Sequence, residues 1–289
     1  MTAKIPFTKM HGIGNDYVYV NGFDVTIDNP GPLARSISDR HFGVGSDGLV
    51  LILPSESADV RMRMFNADGT EAEMCGNAVR CVAKYAYDNG LVRGSAVRVE
   101  TRSGEKIVRL LFEQGNAVGA TVDMGEPVLE PAGIPVTPDT AHAGADRLVS
   151  VPICVAGQEY SFTAVSMGNP HAVLFMKDVD TLDLPKLGPL FEHHAMFPQR
   201  TNTEFVDVTS PSSVTMRVWE RGAGETMACG TGACAVVVAC VLNGHTKRRV
   251  KVHLKGGNLD ILWDADNNHV FMTGGATTVF EGAYLYQGD

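Results

Sequence analysis

The chain lacks the features typical of membrane, secreted and nucleic-acid-binding proteins. Its 24 Lys and Arg stand against 33 Asp and Glu, and the net charge of −9 disfavours a nucleic-acid or anionic-membrane partner. Its longest strongly apolar run, residues 233–242, is too short to span a bilayer. The first residues contain no apolar stretch of signal-peptide length. We therefore expect a globular protein of the cytoplasm.

The six cysteines lack the spacings of a disulfide framework, a zinc site or a redox Cys-x-x-Cys pair. The sequence also shows no compact cluster of His, Cys and carboxylate residues, so we expect no metal site. The cysteine pattern predicts free thiols in a reducing compartment. Four of the six are interpreted as small buried hydrophobic residues: Cys81, Cys154, Cys234 and Cys240.

What the chain does contain is an internal repeat of half its length. Residues 60–90 align without a gap to residues 214–244, an offset of 154, with nine identical positions that include Cys75/Cys229 and Gly76/Gly230. At the same offset Gly14-Asn15 falls on Gly168-Asn169. A duplication that places one thiol in each half predicts two matched thiols that serve one reaction.

Short apolar runs separated by glycine and proline predict strands at residues 17–20, 49–53, 97–101, 172–175, 204–208, 250–254 and 270–273. Two helices are predicted at residues 78–89 and 232–243, each closed by Asn-Gly, and the second is apolar on every side, which predicts burial. Residues 126–148 hold four prolines and are interpreted as a linker. The fold class is α+β, with two pseudo-symmetric domains, each a curved, mainly antiparallel sheet or barrel around a central helix.

Cys75 and Cys229 each directly precede a predicted helix and are followed by glycine and a capping-type residue, Asn77 or Thr231. The N–H groups and partial positive charge of a helix N-terminus favour a thiolate and can lower the pKa of a thiol. The same N–H groups bind carboxylates, and the glycines allow a ligand close to the backbone. Each of these two cysteine motifs therefore predicts a reactive sulfur beside an anion site.

These residues carry a resemblance to a known family. NADGTEAEMCGNAVR (residues 66–80) and ERGAGETMACGTGACA (220–235) resemble the two cysteine signatures of diaminopimelate epimerases. GIGNDYV (12–18), GVGSDGL (43–49), MGNPHAV (167–173) and RTNTEF (200–205) also fit that family. Thr70 stands where Ser is more usual, and Ser46-Asp47-Gly48 is given no ligand role.

The resemblance implies an epimerase that acts without pyridoxal phosphate or any other cofactor. It would interconvert LL- and meso-2,6-diaminopimelate in the synthesis of lysine and peptidoglycan precursors. It also implies a homodimer, and a site between two half-site domains, residues 1–126 with 276–289 and residues 127–275. The last strand, at about 276–289, would return to the first domain.

The resemblance implies four catalytic residues: Cys75, Cys229, His171 and Glu220. His171 is expected near Cys75, and Glu220 near Cys229 and the substrate amine. The residues expected to bind substrate are Asn15, Asn66, Gly76, Asn77, Asn169, Asn202, Glu220, Arg221, Gly230 and Thr231. Their amides and guanidinium can donate to carboxylates with fixed geometry, and the amides can accept from an ammonium.

Inversion of a stereocentre by proton transfer needs a base on one face of the carbon and an acid on the other. One of Cys75 and Cys229 would be thiolate and the other thiol, because the pKa of cysteine is close enough to neutrality for either form. Preorganised donors in a dry site would stabilise the charge that develops on the substrate.

Three other functions stay open at this point. A proline racemase or hydroxyproline epimerase also uses two cysteines, but its first signature usually has His where Asn77 stands. A phenazine-biosynthesis-type isomerase lacks the paired thiols. A non-catalytic amino-acid-binding or thiol redox protein would bind ligand without exchange of the α-proton, or would cycle a Cys75–Cys229 disulfide. In an epimerase we expect that disulfide to form on oxidation and to inactivate the enzyme.

Overall fold

The structure is a computed structural model that describes residues 2–138 and 142–287. Two compact units divide the chain: Met1–Asp123 with Thr273–Asp289, and Met124–Met272. Their boundaries lie three residues from the domain boundaries predicted at 126/127 and 275/276. Residues 139–141 of the predicted linker and 288–289 of the predicted last strand lie outside the described residues.

The first unit is built mainly from strands. They are β1 (Thr2–Gly12), β2 (Asn15–Asn21), β3 (Gly48–Leu53), β4 (Val60–Asn66), β5 (Glu71–Ala72), β6 (Ala96–Thr101), β7 (Gly104–Glu113), β8 (Asn116–Asp123) and, from the end of the chain, β18 (Thr277–Gln287). Its helices are α1 (Pro30–Ser38) and α2 (Gly76–Asp88). The strand order is β18-β1-β2-β3-β4-β6-β7-β8, with β5 also paired to β4. The β2/β3 and β4/β6 pairs are parallel and the others are antiparallel.

The second unit repeats this plan. Its strands are β9 (Val151–Val155), β10 (Gln158–Ser166), β11 (Pro170–Phe175), β12 (Asn202–Ser210), β13 (Ser213–Glu220), β14 (Gly224–Glu225), β15 (Arg249–Leu254) and β16 (Gly257–Trp263), and β17 (Val270–Gly275) begins in it. Its helices are α3 (Leu184–Glu192) and α4 (Gly230–Leu242), with single 3₁₀ turns at Pro131–Gly133 and Val179–Thr181. The order is β9-β10-β11-β12-β13-β15-β16, with β14 paired to β13.

The two units correspond at the offset of 154 read from the sequence. Helix α2 shifted by 154 residues falls on α4, and β11/β12 and β13/β15 are parallel pairs like β2/β3 and β4/β6. The strand register also agrees, since Tyr17 lies opposite Gly48 and His171 lies opposite Asn202. The predicted α+β fold of two duplicated halves is confirmed.

Helix α4 is buried from Gly232 to Cys240 and packs against β10, β11, β12, β15 and β16 of its own unit. This confirms the burial predicted from its apolar composition. Both α2 and α4 are followed by a glycine with positive φ, Gly90 and Gly244 at +70° each, as the Asn-Gly ends predicted. Among the described residues, no helix is long and apolar enough to cross a membrane.

The described part of the segment interpreted as a linker packs into the second unit. Ile134, Val136 and Leu148 are buried in the same apolar cluster as Phe162 and Phe205. Apart from the 3₁₀ turn Pro131–Gly133, its described residues form no helix or strand, but their apolar side chains still fill the core. Helices α1 and α3 and the β7/β8 hairpin were not predicted.

Candidate active site

The first thiol lies where an extended segment turns into helix α2. Cys75 is the N-cap residue, with φ −135° and ψ 122°, and its carbonyl accepts the first helical hydrogen bond, from the N–H of Val79 at 2.9 Å. Its side chain is half-buried, and the thiol donates to Oδ1 of Asn15 across 3.3 Å. The structure thus brings two of the predicted site residues, Cys75 and Asn15, into contact.

Asn15 is held in place by Asp47, a residue that was assigned no ligand role in the sequence analysis. The Asn15 amide Nδ2 donates to Asp47 Oδ2 at 2.8 Å, and the N–H of Asp16 donates to the same oxygen at 3.0 Å. Arg40 donates to both carboxylates at 2.9 Å. Burial raises the pKa of Asp47. Burial acts in the same direction on Asp16, but hydrogen bonds from Arg40 and Lys9 outweigh it and lower the pKa of that carboxyl.

The start of helix α2 is braced from inside by Arg80, whose side chain is fully buried. Its guanidinium donates to the carbonyl of Gly76 at 3.0 Å and to Oδ1 of Asn77 at 2.9 Å. A Cβ on Gly12 would lie 2.9 Å from the Asn77 carbonyl oxygen, so glycine is needed for β1 to pass this close. The side chain of Asn77 is therefore used to brace the start of the helix.

Asn66 stands at the end of β4 and closes the tight turn 66–70. Its amide donates to the Thr70 hydroxyl at 3.0 Å, and that hydroxyl donates to Asp68 Oδ1 at 2.6 Å. The hydroxyl of Thr70 therefore has a structural function that Ser would also fulfil.

The second thiol is the N-cap of α4 and is more deeply buried than the first. Cys229 has φ −113° and ψ 111°, and only 4% of it is exposed. The N–H of Gly232 donates to its Sγ at 3.4 Å, and the Thr231 hydroxyl lies 3.5 Å from the same atom. Burial and the nearby carboxylates of Glu220 and Glu204 raise the pKa of Cys229 well above its usual value. The expectation of a lowered pKa at this helix start is wrong for Cys229, because burial and two carboxylates outweigh the helix N–H groups.

Glu220 ends β13 beside Cys229. Its carboxylate accepts from the Thr226 hydroxyl, and burial raises the pKa of its carboxyl, although hydrogen bonds from Thr226 and Cys229 oppose the shift. Glu220 and Cys229 thus form a pair of neighbouring acidic groups in the second unit, where a negative charge on one disfavours a negative charge on the other.

His171 is fully buried between two side chains. Its Nδ1 lies 2.6 Å from Oε1 of Glu204, and its Nε2 lies 3.0 Å from Oδ1 of Asn169. Glu204 is also fully buried, and it was not predicted as a site residue. The signal for it in the sequence is its place in the repeat, where Val50 stands at the corresponding position of the first half.

Asn202 and Arg221 support the turn that carries Glu220. Asn202 donates to the carbonyl of Pro170 at 2.9 Å and accepts from the backbone N–H of Arg221 at 2.8 Å. The exposed guanidinium of Arg221 donates to the Gln199 carbonyl at 3.1 Å. The buried side chain of Asn202 therefore holds strand and turn together.

The remaining cysteines were mostly predicted correctly. Cys81, Cys234 and Cys240 are buried inside α2 and α4. Cys154 is exposed on β9, and its interpretation as a buried residue is wrong. Strand β9 alternates buried and exposed positions, and Cys154 falls on the outward side. In the described ranges no three His, Cys or acidic residues are grouped as a metal site requires.

Solved structures of other proteins share the duplicated fold. The fold is similar to that of a phenazine biosynthesis protein of the PhzF family from Bacillus anthracis, with a TM-score of 0.69, 15% identity, and 98% of this chain and 100% of that chain covered. It is also similar to that of a hydroxyproline epimerase from Agrobacterium vitis, with a TM-score of 0.66, 15% identity, and 97% and 91% covered. At 15% sequence identity, these structural similarities establish the fold of the chain.

Sequence similarity then defines the family. The family model for diaminopimelate epimerase matches residues 7–130 and 163–279. A diaminopimelate epimerase from Desulfovibrio desulfuricans is 68% identical over 285 residues, which cover 98% of this chain and 99% of that protein. One from Acetivibrio thermocellus is 57% identical over 276 residues, which cover 96% and 97%. The chain belongs to the diaminopimelate epimerase family, and the resemblance read from its signatures is confirmed.

Proposed function

We propose that the protein is a cofactor-independent diaminopimelate epimerase that interconverts the LL and meso forms by proton transfer at one α-carbon. The observation that carries the proposal is the pair of thiols at corresponding positions, Cys75 at the start of α2 and Cys229 at the start of α4. Membership of the family supports the same substrate, and the product would supply lysine and peptidoglycan precursors.

In the proposed reaction the two thiols act on opposite faces of the α-carbon. One thiolate removes the α-proton, and the other thiol delivers a proton from the opposite side, so that the configuration inverts. Burial and the nearby carboxylates raise the pKa of Cys229, which favours its thiol form and suits the acid of the pair. The N–H groups at Gly76, Asn77, Gly230 and Thr231 would hold the carboxylate next to the reacting carbon and stabilise the charge that develops there.

The other predicted site residues are proposed to assist. Glu220 would pair with Cys229 and the substrate ammonium, and His171 would assist Cys75. Asn15, Asn66, Asn169, Asn202 and Arg221 would bind the two ends of the substrate. No metal or cofactor is needed in this scheme.

Three further proposals concern the whole protein. The two compact units would be the two half-site domains. The protein would be a homodimer, a proposal supported by the exposed apolar side chains of Val279, Phe280 and Leu285 on β18. It would act in the cytoplasm, where its six free cysteines stay reduced. Light scattering after size exclusion should give twice the chain mass of 31.0 kDa.

Proton NMR in deuterated water tests the proposed activity. Reduced protein is mixed with LL-diaminopimelate, without pyridoxal phosphate. We expect the signal of one α-proton to disappear while the meso isomer appears. Without exchange, diaminopimelate would be rejected as substrate, and proline and hydroxyproline would be tested next, before the binding-only and redox functions.

Single alanine variants then test the two-thiol scheme. Cys75→Ala and Cys229→Ala should each reduce epimerisation by about 10²–10⁴-fold, the usual contribution of a positioned acid or base. Cys154→Ala, which changes an exposed thiol, is the matched control and should keep full activity. Near wild-type epimerisation by either of the first two variants would contradict the scheme.

A further inference from the structure

A buried pair of a histidine and a glutamate distinguishes the second unit from the first. His171 and Glu204 are both fully buried, and Nδ1 of the imidazole lies 2.6 Å from Oε1 of the carboxylate. The other ring nitrogen faces Asn169 at 3.0 Å. The ring is thus held at both nitrogens, by a carboxylate on one side and by an amide on the other.

The strand register explains how these groups meet. In the parallel pair β11/β12, His171 lies opposite Asn202, and Glu204 is two residues further along on the same face. A Cβ on Gly232 would lie 2.7 Å from Glu204 Oε1. Glycine at this position of α4 therefore leaves the space that the carboxylate occupies.

The first unit shows that the fold does not require this couple. At the offset of 154, His171, Glu204 and Gly232 correspond to Tyr17, Val50 and Ala78. These three residues are buried in the same strand register and at the same point of the helix. A valine and an alanine thus fill the space that a carboxylate and a glycine share in the second unit.

A buried carboxylate is costly where an apolar residue would fit. Oε2 of Glu204 has no hydrogen-bond partner among the described residues, and Oε1 faces Nδ1 of His171. Glu220 on β13 and Cys229 on α4, the other titratable groups close to Glu204, are both acidic. Burial of the Glu204 carboxylate is unfavourable, and the first unit has Val50 at the corresponding position. We therefore look for a functional reason for Glu204.

We propose that Glu204 is a positioning residue that keeps a proton on Nδ1 of His171 and fixes the ring with Nε2 directed at Asn169. An acceptor on one ring nitrogen decides which nitrogen carries the proton and how the ring is oriented. The proposal rests on the proposed function, in which His171 assists proton transfer and Asn169 binds substrate. In this scheme Glu204 itself contacts neither the transferred proton nor the substrate.

The decisive variant is Glu204→Gln, which keeps the shape of the side chain and removes its charge. The neutral amide either accepts from Nδ1 more weakly or turns its NH₂ group to the ring, and both weaken the hold on the Nδ1 proton. Asp207→Asn is the matched control, because Asp207 lies on the same strand and binds Lys177 at 2.8 Å. The double variant Glu204→Val/Gly232→Ala reproduces the packing of the first unit and provides a second, apolar replacement if Glu204→Gln folds poorly.

The first measurement is ¹⁵N NMR of histidine-labelled, ligand-free protein. The signals of His171, one of nine histidines, are those lost in His171→Gln. Wild type and Asp207→Asn should show Nδ1 protonated, whereas Glu204→Gln and the double variant should show a shifted protonation pattern at Nδ1. An unchanged pattern in both Glu204 variants would overturn the proposal. This measurement does not depend on which substrate the protein takes.

The second measurement separates kcat from KM. Glu204→Gln should reduce kcat for diaminopimelate by about 10–100-fold, the cost typical of losing the partner that orients a functional histidine at metal sites, with KM changed less than about twofold. A purely structural role would change the melting temperature and leave the kcat of the folded fraction intact, and that result would also overturn the proposal. An inactive wild type with the expected NMR pattern would instead reject the proposed function and leave the positioning of His171 established.

Discussion

At the scale of single residues, each unit places a carboxylate behind a polar side chain of its candidate site. Asp47 holds Asn15, whose Oδ1 accepts from the Cys75 thiol, and Glu204 holds His171. In the proposed reaction neither carboxylate takes part directly, and each positions another side chain of the site. Their effect on catalysis depends on the position of the side chain they hold, because small displacements of reacting groups cost large factors in rate.

Asp47→Asn tests this arrangement in the first unit. The new amide cannot accept from Asn15, Asp16 and Arg40 together, so we expect Asn15 to leave the Cys75 thiol. Epimerisation should fall by about 10–100-fold, and the free energy of unfolding by about 1 kcal/mol. Steady-state kinetics and urea denaturation measure the two effects.

The matched control is Asp59→Asn, a carboxylate of the same unit that accepts from the backbone N–H and the guanidinium of Arg98, at 2.8 Å and 3.2 Å. It should lose comparable stability and keep its activity. Equal losses of activity in both variants would contradict a specific role for Asp47.

The two thiols could be predicted from the sequence because they recur in the repeat. The carboxylates of Asp47 and Glu204 were missed because neither has a counterpart at the corresponding position of the other half. Cys75 and Cys229 share their neighbours and their place before a helix, so that position alone singled them out. Asp47, Arg80 and Glu204 are each single charged residues whose partners lie 32, 3–4 and 33 positions away in the chain. Only comparison across the repeat, where Glu204 stands against Val50, gives a signal in the sequence.

At the scale of elements, the predictions succeeded where hydrophobic pattern and turn residues agreed. Helices α2 and α4 were each predicted two residues late at the start and one residue beyond the end. Helices α1 and α3 were missed because each contains two prolines, and α3 has Pro189 in its interior. In both, one proline stands in the first turn, where its missing N–H costs nothing, and burial of one face stabilises the helix.

The turn between β13 and β14, which carries Glu220 and Arg221, is anchored to the end of α3. The buried carboxylate of Glu192 accepts from Trp219 Nε1 at 2.7 Å, from the N–H of Gly222 at 2.9 Å and from Arg200 at 3.1 Å. Burial opposes ionisation of Glu192, but the hydrogen bonds from Trp219 and Gly222 outweigh it and lower the pKa of Glu192 below its ordinary value near 4.5.

Glu192→Gln should therefore destabilise the protein and weaken substrate binding. We expect the free energy of unfolding to fall by about 2 kcal/mol at pH 7, because charged hydrogen bonds to a buried acceptor are lost. We expect KM to rise several-fold as the turn with Glu220 and Arg221 loosens.

The loss of stability should depend on pH in a defined direction. A lowered pKa in the folded state stabilises the protein above the unfolded value near 4.5, and this contribution is lost as the pH falls through the folded value. The difference between wild type and Glu192→Gln should thus shrink below pH 4.5. Denaturation curves at pH 7 and at acidic pH measure it, with the exposed Glu159→Gln as control. A difference that stays constant with pH would contradict the assigned cause.

At the scale of the whole molecule, each unit buries a thiol inside its central helix. Burial raises the pKa of Cys81 in α2 to about 11 and that of Cys240 in α4 to about 12. An unfolded chain exposes both thiols, with an ordinary value near 9. Above that pH the unfolded state releases protons that the folded state retains, and alkaline pH therefore favours unfolding.

The free energy of unfolding should therefore be independent of these thiols below about pH 8 and fall as the pH rises past 9. Each thiol should contribute a loss of about 1 kcal/mol between pH 9 and pH 10, close to the limit of 1.36 kcal/mol per pH unit for one group. Urea denaturation of the reduced protein at pH 7.5, 9 and 10 measures the slope.

Cys81→Ala and Cys240→Ala should each lower stability at every pH because of the small cavity, but should also make the alkaline slope shallower. Cys154→Ala changes a side chain that is exposed in the folded state and should leave the slope as it is. Cys229, whose pKa is also raised by burial, contributes to the slope in all four proteins. A slope that is identical in all four would contradict the contribution assigned to the two helix thiols.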